Sequence, residues 1–241
     1  MNTANYQLED LRKEPHFSYS SLNTFLNICQ LQYYFRYIEK LESEQVSVAL
    51  PFGSAFHSAL SEQAQAAKQG KLLTVQELTA AFATYFKAAL ASNEKVIFKK
   101  DETADDLILL AGRMLDSVTL EWCDYWNIEA VALPFRIDFP GAELPLIGEL
   151  DMVISQNTPF DNQETNYCIV DFKTAARMWP DGKADRDLQA TVFTYAFEKL
   201  YGQKADFRFD IITKTKNPAV KRFHTRRNEN DFARLERIVL E

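Results

Sequence analysis

The 241-residue chain has only three cysteines, Cys29, Cys123 and Cys168, which are far apart, odd in number and without a Cys-x-x-Cys pair. That scarcity excludes a disulfide framework and a self-contained zinc site, and reduced thiols are the simplest expectation. Also missing is any apolar run near the roughly 18 to 20 residues needed to cross a bilayer, so no membrane partner is expected. The opening Met1-Asn2-Thr3-Ala4-Asn5 lacks both the basic segment and the apolar core of a signal peptide, which makes a cytoplasmic location the default expectation. Positive charge is in deficit overall, and the net charge of −7 speaks against wholesale non-specific nucleic-acid binding. The deficit is uneven. From Lys204 onward ten Lys and Arg face six Asp and Glu, whereas the preceding residues hold seventeen against twenty-eight. A basic end beside an acidic body is compatible with an acidic metal cluster and a local track for phosphate.

With 46% hydrophobic residues the chain can bury a sizeable core, and one domain over 1–241 is expected, with a helical elaboration at about 70–128. Ser18 or Ser20 is available to cap a helix running towards Tyr37. Its aromatics, Phe25, Tyr33, Tyr34, Phe35 and Tyr37, suit a base-stacking platform, although a helix so rich in aromatics more often packs against a core. Arg36 and Lys40 extend a basic edge. A second helix opens at Pro51-Phe52-Gly53-Ser54-Ala55-Phe56-His57 and ends at Gln69-Gly70, with Gly53 and Ala55 allowing close backbone packing. Helical patterns follow at about Val75 to Ser92 and Thr103 to Trp126, the latter with an apolar stripe through Leu107, Leu110, Ala111, Met114, Leu115, Val118 and Trp122. Trp122, Cys123 and Trp126 read as core.

From Ala130 the period becomes strand-like: Ala132 to Phe139, Leu146 to Ser155 and Tyr167 to Thr174, a three-strand meander. A helix from about Asp187 to Tyr201, a strand over Phe207 to Thr213, a basic loop from Lys214 to Arg227 and a short amphipathic helix complete the order. The chemistry concentrates in Ile169-Val170-Asp171-Phe172-Lys173-Thr174. Alternation along a strand sets Asp171 and Lys173 side by side and turns Phe172 into the core. If this strand pairs with Leu146 to Ile154, Asp151 approaches Asp171, and two carboxylates facing one point make a hard-oxygen site suited to Mg²⁺ or Mn²⁺. Taken alone, Asp-x-Lys reads as a solvated surface pair worth under about 1 kcal/mol.

The succession Gly53-x-x-x-His57, Gly148-x-x-Asp151, Asp171-x-Lys173 and Gln189 at the start of a helix resembles the RecB-like branch of the PD-(D/E)XK nuclease superfamily. The resemblance runs from about Ser18 to Arg227 and includes Ser20-Ser21-Leu22-Asn23-Thr24-Phe25 leading to Cys29. It implies an α/β (α+β) fold: a restriction-endonuclease-like core, a mixed central sheet flanked by helices, and an additional helical subdomain. It further implies a divalent-metal-dependent deoxyribonuclease, an exonuclease in recombination, repair or phage-type DNA processing. His57, Asp151, Asp171 and the backbone carbonyl of Phe172 would hold Mg²⁺ or Mn²⁺. Lys173 would position the nucleophile or neutralise transition-state charge, and Gln189 would support it or contact DNA. Glu149 reads either as an outer acid or ligand of a second cation, or as a solvated strand acid. Phe193 stands where the family's Gln-x-x-x-Tyr motif has tyrosine. The DNA track would draw on Tyr33, Arg36, Lys214, Lys216, Lys221, Arg222, Arg226 and Arg227. Many relatives carry an iron–sulfur cluster bound by one N-terminal and three C-terminal cysteines. Cys29 matches the first and the triplet is missing, so no cluster is expected unless a further C-terminal segment completes it. A recombination or helicase protein is an expected partner beside DNA.

Two enzymatic alternatives stay open, exonuclease and structure-specific endonuclease. A rival is a catalytically inactive DNA-binding or scaffold module of the same fold. Against it stands the acid cluster, whose mutual repulsion costs stability without a cation. A helical adaptor would leave both the acid cluster and the basic end unexplained.

Overall fold

The computed structural model describes residues 7–92, 95–119, 127–157 and 165–241. Trp122, Cys123 and Trp126, expected in the core, lie outside the described residues. Along the chain run α1 (Leu8–Leu11), β1 (Phe17–Ser18), α2 (Tyr19–Asn23), a π-helical turn (Thr24–Ile28), α3 (Gln30–Tyr33), a second π-helical turn (Tyr34–Ile38) and β2 (Val46–Ser47). Next come α4 (Ala49–Lys68), α5 (Val75–Ala91), β3 (Val96–Ile97), α6 (Ala104–Thr119), β4 (Asn127–Ile137), β5 (Leu146–Asn157) and β6 (Thr165–Ala175). The rest are α7 (Lys183–Arg186), α8 (Leu188–Tyr201), β7 (Ala205–Thr213), β8 (Val220–Thr225) and α9 (Glu229–Leu240).

A mixed sheet is packed on both faces. β5 pairs antiparallel with β4 along one edge and, along the other, parallel with β1 and antiparallel with β6. β6 then pairs parallel with β7, through the α8 crossover, and β7 antiparallel with β8. On one face Ile169, Phe207, Phe209 and Ile211 pack with Val192, Phe193, Tyr195 and Ala196 of α8 and Phe232, Leu235 and Val239 of α9. On the other, Met152, Ile154, Val170 and Phe172 share a core with Phe52, Phe56 and Leu60 of α4, Phe82 and Phe86 of α5 and Met114 and Leu115 of α6. The helical elaboration thus shares an apolar cluster with the sheet. Its helices start where local chemistry satisfies their free N–H groups: Thr74 and Glu77 cap α5 reciprocally, and Thr103 and Asp106 do the same before α6.

Three elements differ from the sequence-based expectation. The helix towards Tyr37 is interrupted at Cys29, whose backbone is extended (φ −166°, ψ 121°). Beyond Leu22 and Thr24 its apolar residues are not buried: Phe25, Leu26, Ile28, Leu31, Tyr34, Phe35 and Ile38 are all exposed. The expectation that this aromatic segment packs on the core is therefore corrected; it forms an outstanding arm. Second, the stretch expected as a basic loop contains strand β8, Val220–Thr225. Phe223 and Thr225 turn inward with His224 between them outside, and Lys221, on the same face as Phe223, extends its ammonium over that ring, so the basic residues obscure the alternation. Third, Gly53 meets only Thr174 Oγ1, 3.9 Å from an added Cβ, which is ordinary contact and gives no steric need for glycine.

Gly148 is different. A Cβ there would stand 2.5 Å from Cζ of Phe135, its partner across the β4–β5 ladder, and 2.7 Å from Cε1. Phe135 is buried between Gly148 and Phe193, whose ring centroid lies 5.6 Å away. Gly148→Ala is expected to destabilise the fold by about 1–3 kcal/mol through overpacking, read as a lower urea midpoint with unchanged slope. A midpoint equal to that of the parent chain would show that the ring yields freely.

Candidate active site

The site forms where β5 and β6 part. Their last ladder pair towards this end is Met152 with Val170, so Asp151 and Asp171 are the next residues on each strand. Beyond them, β1 takes up the β5 edge at Leu146 and Ile147, leaving Gly148 to Asp151 without a strand partner on that side. The β5 alternation also slips here: Leu146, Leu150 and Val153 join one core, Met152 and Ile154 the other. Across the β4–β5 register Ala132 has φ +48°, a left-handed conformation costly for a residue with a Cβ. The distortion turns Asp151 towards β6, where its Oδ2 accepts from the Phe172 N–H at 3.0 Å. A side chain thus replaces the carbonyl that would have continued the ladder.

Four further groups converge on the two acids. His57, one turn after Gly53 on α4, places Nδ1 3.0 Å from Asp151 Oδ2. Lys173 Nζ lies 2.7 Å from Asp171 Oδ2. Gln189, in the first turn of α8, donates Nε2–H to Asp171 Oδ1 at 2.5 Å, an orientation required because a carboxylate only accepts. Glu149 is half-buried on β5, close enough for its charge to act on Asp151 and His57. The expected face-sharing of Asp171 and Lys173 is present, and Phe172 is buried in the opposite core.

Electrostatics follow from burial. Asp171 is 1% exposed, and loss of solvent, assisted by Asp151 and opposed by Lys173, pushes its carboxyl up to about 6. For Asp151 desolvation is outweighed by the His57 imidazole, Lys173 and the Phe172 N–H, and its pKa is lowered. Burial disfavours the charged forms of His57 and Lys173, yet the two aspartates overcome it and raise both. Burial, and then the Asp151 charge, raises Glu149.

Hard oxygens and one imidazole suit Mg²⁺ or Mn²⁺. Asp171 Oδ2 is buried and, although in contact with Lys173, lies outside hydrogen-bond geometry, so a lone pair is left for another ligand. The donor set fits a divalent cation. Among the described residues no three His, Cys, Asp or Glu are gathered as a closed metal site. His57 and Asp151 are bonded to each other, and their contact would have to open for both to become ligands.

The candidate DNA-binding residues are dispersed. Lys214 follows β7, its N–H bonded to Ala175 O at 2.7 Å and its ammonium 5.3 Å from the Phe52 ring centroid. Burial, and then Lys99, lowers its pKa. Lys216 is exposed. Lys221 pairs with Asp181 at 3.0 Å, Arg222 with Asp210 at 3.7 Å and Arg226 with Asp206 at 2.8 Å. Arg227, expected on the DNA track, is half-buried, and its guanidinium makes five hydrogen bonds, to Thr191 Oγ1, Thr225 Oγ1 and the carbonyls of Ala184, Asp187 and Arg226. Tyr33 lies on the arm between the Phe25 and Tyr37 rings, with Arg36 over Tyr37. Cys29 is exposed there, whereas Cys168 is buried and its thiol is pushed up to about 12 by desolvation.

Phe193 is a core residue, and Tyr195 turns its hydroxyl away to Glu236 of α9. A phenolic hydroxyl at the α8 entrance comes instead from Tyr19, which donates to Asp187 Oδ1 at 3.0 Å. Sequence reasoning missed this pair. The one available signal was Asp187 immediately before the helix, a position favoured for an N-cap.

A family model described as the PD-(D/E)XK nuclease superfamily matches residues 16–241. A crystal structure from Eubacterium rectale, provisionally named an exonuclease, superposes with a TM-score of 0.55 at 14% identity, covering 100% of this chain and 83% of that one. At that identity the likeness speaks for the fold alone. The structure of SSO0001 aligns over 95% of this chain and 82% of its own at 14% identity, with a TM-score of 0.33 that carries no argument. No curated protein matches the sequence significantly.

Because folding raises the Asp171 carboxyl to about 6, the folded chain retains a proton that the unfolded chain releases at lower pH, and ionised Asp171 opposes folding above that value. Asp171→Asn is therefore expected to melt higher than the parent chain at about pH 8, with the gain fading as the pH falls towards about 4. Melting followed by circular dichroism across this range checks it. A variant less stable at the alkaline end would show that the ion pair with Lys173 outweighs the desolvation.

Proposed function

We propose that this chain, which belongs to the PD-(D/E)XK nuclease superfamily, is a divalent-metal-dependent deoxyribonuclease of the RecB-like branch, an exonuclease serving DNA recombination, repair or phage-type DNA processing. One observation carries the reading: β5 and β6 diverge so that Asp151 and Asp171 stand at one point with His57 and Lys173 against them. A surface ion pair would need neither this burial nor this convergence.

His57, Asp151 and Asp171 would hold Mg²⁺ or Mn²⁺, with the Phe172 carbonyl a further ligand and Glu149 behind them. The chemistry such a cation would supply there is polarisation of the phosphate and a hydroxide near neutral pH. The chain's own groups do the rest. The Phe172 N–H fixes the Asp151 carboxylate, and Gln189 holds Asp171 by one oxygen. Lys173, kept protonated by the aspartates, supplies positive charge where the phosphate develops negative charge, and orients the attacking water. Lys214 and Lys216 follow the end of β7, parallel neighbour of the strand that carries Lys173, and would grip the substrate backbone. Lys221, Arg222 and Arg226 would exchange their acid partners for phosphates, and Tyr33 with Arg36 on the arm would stack or contact bases.

End-labelled single- and double-stranded DNA incubated with Mg²⁺ or Mn²⁺ should lose label, and EDTA should stop the loss. Lys173→Ala should lower the rate by about 10²–10³ or more while DNA affinity in EDTA stays near that of the parent chain. Cleavage unaffected by this substitution would remove the mechanism. DNA binding without cleavage under either metal would favour an inactive scaffold. Lys214→Ala with Lys216→Ala should weaken binding and reduce the salt slope by up to about 2. An unchanged slope would place the phosphate track elsewhere.

A further inference from the structure

Arg227 lies eighteen positions beyond the sheet residue Phe209, far along the chain from every acid of the site, yet its guanidinium reaches the entrance of α8. Nη2 donates to the carbonyls of Ala184 (3.0 Å) and Asp187 (2.9 Å), Nε to Thr191 Oγ1 (2.8 Å), and Nη1 to Thr225 Oγ1 (2.6 Å) and Arg226 O (2.9 Å). Every N–H of the fork is used, so lysine, with one donor centre, cannot reproduce the set. Asp187 is gripped from its other side as well. Its Oδ1 accepts from Tyr19 Oη at 3.0 Å and from the Gln189 N–H at 3.0 Å, which caps α8. Two residues into that helix, the Gln189 side chain meets Asp171 Oδ1 at 2.5 Å. α7, α8, β8 and α2 are thereby tied together at Asp187.

We propose that Arg227 and Tyr19 are positioning residues which, by clamping Asp187 from its carbonyl and carboxylate ends, set the α8 entrance so that Gln189 engages one oxygen of Asp171 and leaves the other to Lys173. The proposal rests on the nuclease reading only for its kinetic consequence; the geometry it asserts is independent of metal and substrate. It gives the half-buried Arg227 guanidinium a role within the fold and removes it from the DNA track. The physical need is tight tolerance: Asp171 is buried, its two oxygens have different partners, and displacement of the reacting groups by an ångström can cost about 10²-fold in rate.

The test uses the full chain carrying Arg227→Lys or Tyr19→Phe, the latter removing one hydroxyl without changing the packing. The first readout is the Gln189 side-chain amide in ¹⁵N-glutamine-labelled protein, assigned by its loss in Gln189→Glu. Bonded to a buried carboxylate, it should be shifted and protected in the parent chain, and should move towards the exposed glutamine signals in both variants. The second readout splits the kinetics: kcat should fall by about 10–10²-fold for Arg227→Lys and less for Tyr19→Phe, with KM, DNA affinity in EDTA and salt slope unchanged. An unchanged Gln189 signal in both variants overturns the proposal. So does a loss carried by KM, affinity or salt slope, which would return Arg227 to the DNA. If the parent chain cleaves nothing, the nuclease reading fails on its own, and the amide signal alone decides the positioning role.

Discussion

A carboxylate that is 1% exposed persists as an anion only if charge and hydrogen bonds replace the water it has lost, and Asp171 has the Lys173 ammonium at 2.7 Å and the Gln189 amide at 2.5 Å. Much of the surrounding architecture can be understood from that requirement. Lys173 is brought alongside by the two-residue period of β6, and the parallel pairing of β6 with β7 through the α8 crossover sets the helix entrance over the same acid. The second acid is handled differently. Asp151 takes its partners from a helix side chain and a strand N–H, which keep its pKa low while that of Asp171 rises. Two like acids in adjacent positions thus acquire unlike affinities for protons, a common arrangement where acid and base work is divided.

The two-sided packing of the sheet holds this arrangement rigid. Phe172 lies in the core built by α4, α5 and α6, whereas Ile169 lies in the core built by α8 and α9. Rotation of β6 would displace both clusters at once, so the direction of Asp171 is set by apolar burial on either side of it. The same packing accommodates local strain: Ala132 at φ +48° and the tight approach of Gly148 to Phe135 flank the point where β5 leaves β6. The divergence leaves the Phe172 N–H without a ladder partner, and Asp151 supplies one.

Much of the charge on the C-terminal end is used within the fold. Arg208 and Asp210 form a bidentate pair inside the sheet, with Arg222 beside it, and Arg227 is committed to carbonyl and hydroxyl oxygens. Lys214 stands half-buried near Lys99 and against the Phe52 ring, and Lys216 is exposed. The exposed arm around Cys29 adds aromatic and aliphatic surface away from both cores.

The sequence by itself determined what depends on neighbours along the chain. The apolar alternation of Ile169 to Lys173 sets Asp171 and Lys173 on one face, Gly202 ends α8, and Thr74 with Glu77 opens α5, because backbone period and capping are local properties. The motif spacing was also enough to indicate the family, since each motif sits on the element that carries it. Only the tertiary structure decided which groups meet across the chain: that β8 is a strand despite its basic residues, that the aromatic arm is exposed, and that Tyr19 and Arg227 close on Asp187. The reason is physical. A guanidinium or phenol has much the same local preferences whether it faces solvent or a buried carbonyl, and the choice between them is made by partners distant in the chain: Thr191, Asp187 and Ala184 for Arg227, 36 to 43 positions away, and Asp187 for Tyr19, 168 positions away, which no local pattern records.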